Sequence, residues 1–184
     1  MLRHPLKLGF LGTTGVGKDT CCRSIQKLYP RYLTRTVKLA HPLYEVQNFI
    51  YRLSGVQKKE EIQDGVLLNF LGKHMRQIDS QVLIRSFAAT LREISPDVDL
   101  ILCPDVRPVD APHLKAMDFT LIHVTADSEI ALKRRKARGD LSLSQPNHET
   151  ELGLNSDICD YQVANNGSLE ELEKQIQCLM QRLS

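Results

Sequence analysis

Apolar positions along the chain follow two different spacings, and the switch between them outlines the elements. Leu6 to Leu11 is a short apolar run that closes on a glycine-rich turn, and Cys21, Ile25 and Leu28 follow at helical spacing, which predicts strand, loop and helix. Leu43, Val46, Ile50 and Leu53 lie three, four and three residues apart, and Pro42 suits a first turn. They predict a second helix running toward Ser54-Gly55. Beyond a charged connection from Lys58 to Asp64, the residues Val66, Leu67, Phe70 and Leu71 predict a third helix. Leu83, Phe87, Leu91 and Ile94 predict a fourth, with Asp79 as its N-cap.

The period then shortens. Leu100 to Cys103 and Phe119 to Val124 are compact apolar runs bounded by Pro and Asp, the profile of strands buried on both faces. Val37 to Ala40 and Tyr161 to Ala164 predict two more strands. Ser168 and Glu171 form a capping box ahead of Leu169, Leu172, Ile176, Leu179 and Leu183, a closing amphipathic helix. Strands alternating with helices imply an α/β fold, a parallel sheet covered on both sides. Ligands of such sheets sit at the carboxyl ends of the strands, where the glycine turn and Asp105 should both emerge.

The glycine turn carries chemistry. Gly12-Thr13-Thr14-Gly15-Val16-Gly17-Lys18 fits GxxxxGK and falls between a buried strand and a helix start, the context this motif needs. Glycines let successive backbone N–H groups point inward as an anion nest, the helix end adds partial positive charge, and Lys18 can reach the β and γ phosphates of ATP. The usual Ser or Thr after the lysine, which gives a hydroxyl to Mg²⁺, is Asp19 here, followed by Thr20. Three roles are open for Asp19: binding the ion directly, binding it through water, or orienting an acceptor. Thr20 is placed to contact the α-phosphate.

Composition narrows the classes. The 184 residues suit one domain spanning 1–184, with 42% hydrophobic and 25% charged residues and no low-complexity tract. No apolar run approaches the roughly 20 residues of a membrane span, and the first twelve residues lack the apolar core of a secretory signal. Five cysteines, Cys21, Cys22, Cys103, Cys159 and Cys178, show no metal-knuckle spacing and read as reduced thiols of a cytoplasmic protein. A formal charge of +2 does not by itself imply nucleic acid. The run Lys133-Arg134-Arg135-Lys136-Ala137-Arg138-Gly139 is strongly basic, but it has no aromatic interleaving and follows a helix predicted from Asp127, so a nucleic-acid patch is disfavoured.

Several segments agree, in order, with one family. Gly17-Lys18-Asp19-Thr20 resembles the loop of phage-type deoxynucleoside monophosphate kinases. Leu39 to Glu45 is similar to that family's A-D-P-L-K-E segment, with His41 and Tyr44 as departures. Leu71-Gly72, Arg76, Asp79 and Arg85 resemble its L-G-x-x-x-R and D-x-x-x-x-x-R regions, and Pro104-Asp105-Val106-Arg107 its D-x-R. His148-Glu149-Thr150-Glu151 is similar to H-x-S-E, and Asn165-Asn166-Gly167-Ser168 matches the N-x-G turn. Animal-type phosphomevalonate kinases share the GKD loop, the D-x-R and an acidic segment comparable to Glu149 to Leu154.

The resemblance implies a three-layer α/β/α P-loop fold with a short lid at about 133–153, ATP and Mg²⁺ as cofactors, and a small phosphorylated acceptor as partner. Phosphoryl transfer asks mainly for positioning and positive charge, so arginines around the loop are the expected tools. Arg107 is the first candidate to grip the acceptor's phosphate. Asp105 beside it either holds a magnesium-bound water or fixes Arg107 in a carboxylate fork. Carried over residue by residue, Arg76, Arg85, His148 and Glu151 join the acceptor site. Yet Arg85 is two residues from Leu83 and from Phe87, roughly 200° off the core stripe of its helix. Arg134 and Arg138, one turn apart, are the expected lid arginines. Tyr44 and Phe70 are candidates to stack on a base, but their helical spacing favours the core. A P-loop ATPase or nucleotide sensor without an acceptor is the alternative of a different class.

Overall fold

A computed structural model describes residues 4–57, 62–140 and 156–183. Five strands form one sheet: β1 (Leu6–Leu11), β2 (Thr34–Thr36), β3 (Leu100–Cys103), β4 (Thr120–Thr125) and β5 (Tyr161–Ala164). Their order is β2-β3-β1-β4-β5, and every pair is parallel. Among the described residues seven α-helices flank them: α1 (Lys18–Leu28), α2 (His41–Leu53), α3 (Gly65–Ile78), α4 (Val82–Arg92), α5 (Ala111–Lys115), α6 (Ser128–Arg138) and α7 (Leu169–Leu183).

Successive strand residues point to opposite faces, so each central strand feeds two cores. On one face Leu8, Phe10, Leu100, Leu102, Ile122 and Val124 pack against Cys21 and Ile25 of α1 and Ile176 and Met180 of α7. On the other, Leu11, Ile101, Cys103 and Leu121 meet Leu43 of α2, Leu83 and Phe87 of α4, and Leu114 of α5. This is the three-layer α/β/α architecture. Each fully buried aliphatic side chain contributes about 1.5–3 kcal/mol.

Several boundaries differ from the sequence reading. The second strand is Thr34–Thr36, not Val37 to Ala40, because only Val37 N–H still bonds to the ladder, at Leu102 O. The amides of Leu39 and Ala40 leave it for the Asp105 carboxylate. Asp79 does not cap α4. It follows the last turn of α3, and its Oδ1 accepts from Gln81 N–H at 3.0 Å, so α4 begins only at Val82. The short helix α5 carries no periodic apolar signal in five residues. By contrast, the Ser168–Glu171 capping box forms reciprocally, at 2.9 and 3.2 Å.

All five cysteines are free, and Cys21, Cys22 and Cys103 are buried. Burial pushes the Cys21 thiol up to about 12, which leaves it protonated and unreactive at neutral pH. Among the described residues no helix is long and apolar enough to cross a membrane.

Candidate active site

β1 and β3 are neighbours, with Gly9 opposite Cys103. The glycine loop and the turn Pro104–Arg107 therefore leave the sheet side by side. The loop is held by close contacts that leave no room for a side chain at its glycines. Gly15 has φ +95°, and a Cβ there would lie 2.5 Å from Ala131 O of α6. Gly17 has φ +100°, and its Cβ would lie 2.2 Å from Asn165 Nδ2. That amide donates instead to Val16 O at 2.7 Å. Lys18 opens α1 with its ammonium folded over the loop, donating to Gly12 O at 2.6 Å and Thr13 O at 2.9 Å.

The loop is one wall of a cleft of about 760 Å³, a volume suited to a nucleotide-sized ligand. Six Lys or Arg side chains line it (Lys18, Arg23, Lys38, Arg107, Arg134 and Arg138) against two carboxylates, Asp19 and Asp105. That excess favours a polyanion. A smaller recess of about 60 Å³ opens toward α3 and α4, with Leu43, Leu68, Leu83 and Asn69 in its walls. Thr14, Tyr44, Gln63, Asp105 and Arg107 line both spaces.

The residues singled out from sequence divide into three groups. Gly12, Thr14, Gly15, Gly17, Lys18, Asp19 and Thr20 line the cleft, as do Arg107, Arg134 and Arg138. Thr13 offers its carbonyl to Lys18, and Val16 is buried behind the loop. Arg134 leans on the β5–α7 turn, donating to Asn165 O at 3.0 Å, and Arg138 forks onto Asp140 at 2.6 and 2.7 Å.

Asp105 is placed in the cleft but has another task. Its two oxygens accept from Leu39 N–H at 2.8 Å and Ala40 N–H at 3.0 Å, pinning the chain that leads into α2. Burial pushes its carboxyl above the usual range, opposed by those two amides. Arg76 lines the recess and is ion-paired with Asp110 at 2.7 Å. Arg85 is not brought to the site. It is 63% exposed, pairs with Asp79 and borders neither space, because it lies on the solvent face of α4. His148, Glu151 and the later part of the expected lid lie outside the described residues.

Sequence reasoning missed three neighbours of the site. Arg135 is 5% exposed and lines the recess beside Thr14. Its one signal was phase, four residues after buried Ala131 in a run where every residue is basic or small. Tyr44, assigned to the core, stands instead at the junction of the two spaces, with Lys38 Nζ 5.1 Å from its ring centre. Burial holds its phenol well above the ordinary value, ahead of the smaller effect of Asp105. Lys38 also reaches Asp19, at 3.8 Å. Phe70, the other aromatic assigned to the core, is 65% exposed and stacks on His74.

Among solved structures, the chain is similar to TT1252 from Thermus thermophilus, with a TM-score of 0.59 at 18% identity, covering 98% of this chain and 99% of that one. It is also similar to shikimate kinase from Acinetobacter baumannii in complex with shikimate, with a TM-score of 0.51 at 15% identity over 99% and 94% of the two chains. No protein-family model matches the sequence, and no curated protein does. At such identities the likeness is one of fold: the chain shares the α/β fold of these two structures.

Proposed function

We propose that this chain transfers the γ-phosphoryl group of ATP to a nucleoside or deoxynucleoside monophosphate, giving the diphosphate. The observation that carries the reading is Arg107, which lines both the phosphate-loop cleft and the recess beside it. ATP bound through the loop would point its γ-phosphate toward that shared wall. An acceptor whose phosphate reaches into the recess would meet Arg76, Arg107 and Arg135, whose charge suits a phosphorylated molecule. Gly17 to Thr20 and Pro104 to Arg107 suit either a monophosphate or phosphomevalonate, and the wider run of resembling segments, Leu39 to Glu45 and Asn165 to Ser168 included, favours a monophosphate, with phosphomevalonate as the rival acceptor.

Transfer is direct and in line. An oxygen of the acceptor's phosphate attacks the γ-phosphorus, the bond from that phosphorus to the β–γ bridging oxygen breaks, and ADP leaves with the electron pair. Holding two anionic ligands in register removes much of the entropic barrier without a covalent enzyme intermediate. Lys18, released from the loop carbonyls by the phosphates, neutralises charge on the transferred group. Arg134 and Arg138 line the same cleft and add to that field.

Among the described residues no three His, Cys, Asp or Glu side chains are placed to hold a metal by themselves. Mg²⁺ commonly takes one or two carboxylates together with phosphate oxygens and waters, and Asp19 in the cleft fits that donor set. Asp105, whose oxygens already hold Leu39 and Ala40, fits it less well. When bound, the ion would neutralise phosphate charge beside Asp19.

The test is ADP release from MgATP against deoxynucleoside monophosphates, ribonucleoside monophosphates and phosphomevalonate, with a no-acceptor control and a Lys18→Ala control. Selective stimulation by monophosphates is expected. Stimulation by phosphomevalonate alone replaces the acceptor, and ATP turnover indifferent to every acceptor overturns the kinase reading in favour of an ATPase or sensor.

A further inference from the structure

Arg76 reaches the recess from α3 with one edge of its guanidinium already engaged. Nη2 donates to Asp110 Oδ2 at 2.7 Å, and Nη1 donates to Gly72 O at 3.3 Å. Nε is buried and has no hydrogen-bond partner among the described residues. A buried donor without an acceptor is costly. Arg76 nonetheless lines the recess, so a ligand oxygen there would meet the guanidinium N–H groups not spent on Asp110 and Gly72.

Asp110 is 2% exposed and is built into the turn that carries the second arginine. Its backbone N–H donates to Arg107 O at 2.9 Å, and its own carbonyl accepts from Leu114 N–H as α5 begins. One residue thus touches Arg107 through the main chain and Arg76 through the side chain, and both arginines line the recess. Burial pushes the Asp110 carboxyl up, and Arg76 pulls it back.

We infer that Asp110 is a positioning residue: resting on the phosphotransfer reading, it registers Arg76 of α3 against Arg107 of the β3–α5 turn so that the pair grips the acceptor's phosphate dianion. A carboxylate behind an arginine surrenders part of the cation's attraction for a ligand. In return it fixes a long side chain whose freedom would otherwise have to be lost on binding. The planar fork matters as much as the charge, since a guanidinium held on one edge still presents N–H groups on another. Asp110 itself touches neither reacting phosphate.

A purely structural ion pair would lower stability without singling out the acceptor. The experiment is calorimetric titration of inorganic phosphate into protein saturated with a non-hydrolysable ATP analogue, which occupies the phosphate loop. Asp110→Asn is expected to weaken phosphate binding tenfold or more while affinity for the analogue is unchanged. In turnover, the acceptor KM should rise by a similar factor with little change in kcat. The inference is overturned if folded Asp110→Asn binds phosphate within twofold of wild type, or if wild type binds none once the analogue is in place. Should Asp110→Asn fail to fold, Arg76→Lys, which keeps a cation but loses the fork, must show the same loss, and unchanged affinity overturns the proposal. Phosphate binding needs no knowledge of the true acceptor. A failed acceptor panel beside an intact phosphate result therefore removes the kinase reading, and with it the acceptor, while Asp110 still registers the two arginines on a phosphate.

Discussion

The Asn165 side chain donates a hydrogen bond of 2.7 Å to the Val16 carbonyl, joining groups 149 positions apart in the chain. The same residue's carbonyl accepts from Arg134 at 3.0 Å. The glycine loop, α6 and the turn ahead of α7 therefore meet at one buried residue, and the absence of a side chain at Gly17 is what lets the Asn165 amide in. Asn165→Ala leaves the Val16 carbonyl buried and unsatisfied, and the expected cost is about 1–3 kcal/mol in denaturant unfolding. Gly17→Ala should break the same bond from the other side, so the double variant is expected to lose less than the sum of the two. Additive losses would show that the two residues act separately.

Arg85 and Arg107 separate what resemblance alone placed together. Arg85→Ala removes an exposed side chain paired with Asp79, and the acceptor KM and kcat are expected to stay within twofold of wild type. Arg107→Ala removes a cation shared by the two spaces, and kcat/KM should fall by about 100-fold or more. Steady-state kinetics on both variants checks this. A large loss in Arg85→Ala would return α4 to the acceptor site.

Asp160 ties β5 to β4. Its carboxylate accepts from Leu121 N–H at 2.8 Å and pairs with Lys115 of α5. Burial raises its pKa, but the Lys115 hydrogen bond and the Leu121 amide outweigh that and hold it below the usual carboxylate value of 3.8. Because the folded pKa lies under the unfolded one, the contribution is complete above the unfolded value and is lost as pH falls through the folded one. Asp160→Asn should therefore lower Tm at pH 7, with the difference from wild type shrinking as pH falls below about 4. Thermal unfolding across that range measures it, and a constant difference would assign the loss to packing alone.

Much of this was legible beforehand, and for identifiable reasons. The capping box of α7, the buried strand at Leu100–Cys103 and the strand-loop-helix around Lys18 are local. Their signals are spacing, cap chemistry and glycine placement, all read within a dozen residues. The Thr34–Thr36 strand was misplaced because its neighbours Leu39 and Ala40 look strand-like, yet they spend their amides on a carboxylate 65 or more residues away. Arg85 is the converse case: its helical phase already pointed to solvent, and the structure places it there, paired with Asp79.

The sequence by itself determined that a glycine-rich loop would sit between a buried strand and a helix, since backbone conformation and strand burial follow from residue type and local order. Only the tertiary structure decided which charged side chains line the cleft beside that loop. Arg134, Arg135 and Arg138 share one basic run, yet they go respectively to the Asn165 carbonyl, the wall of the recess and the Asp140 carboxylate. Asp110, which no motif marks, became the partner of Arg76. A charged side chain's partner depends on which distant elements the sheet order brings alongside it, and that is a property of the whole packed chain.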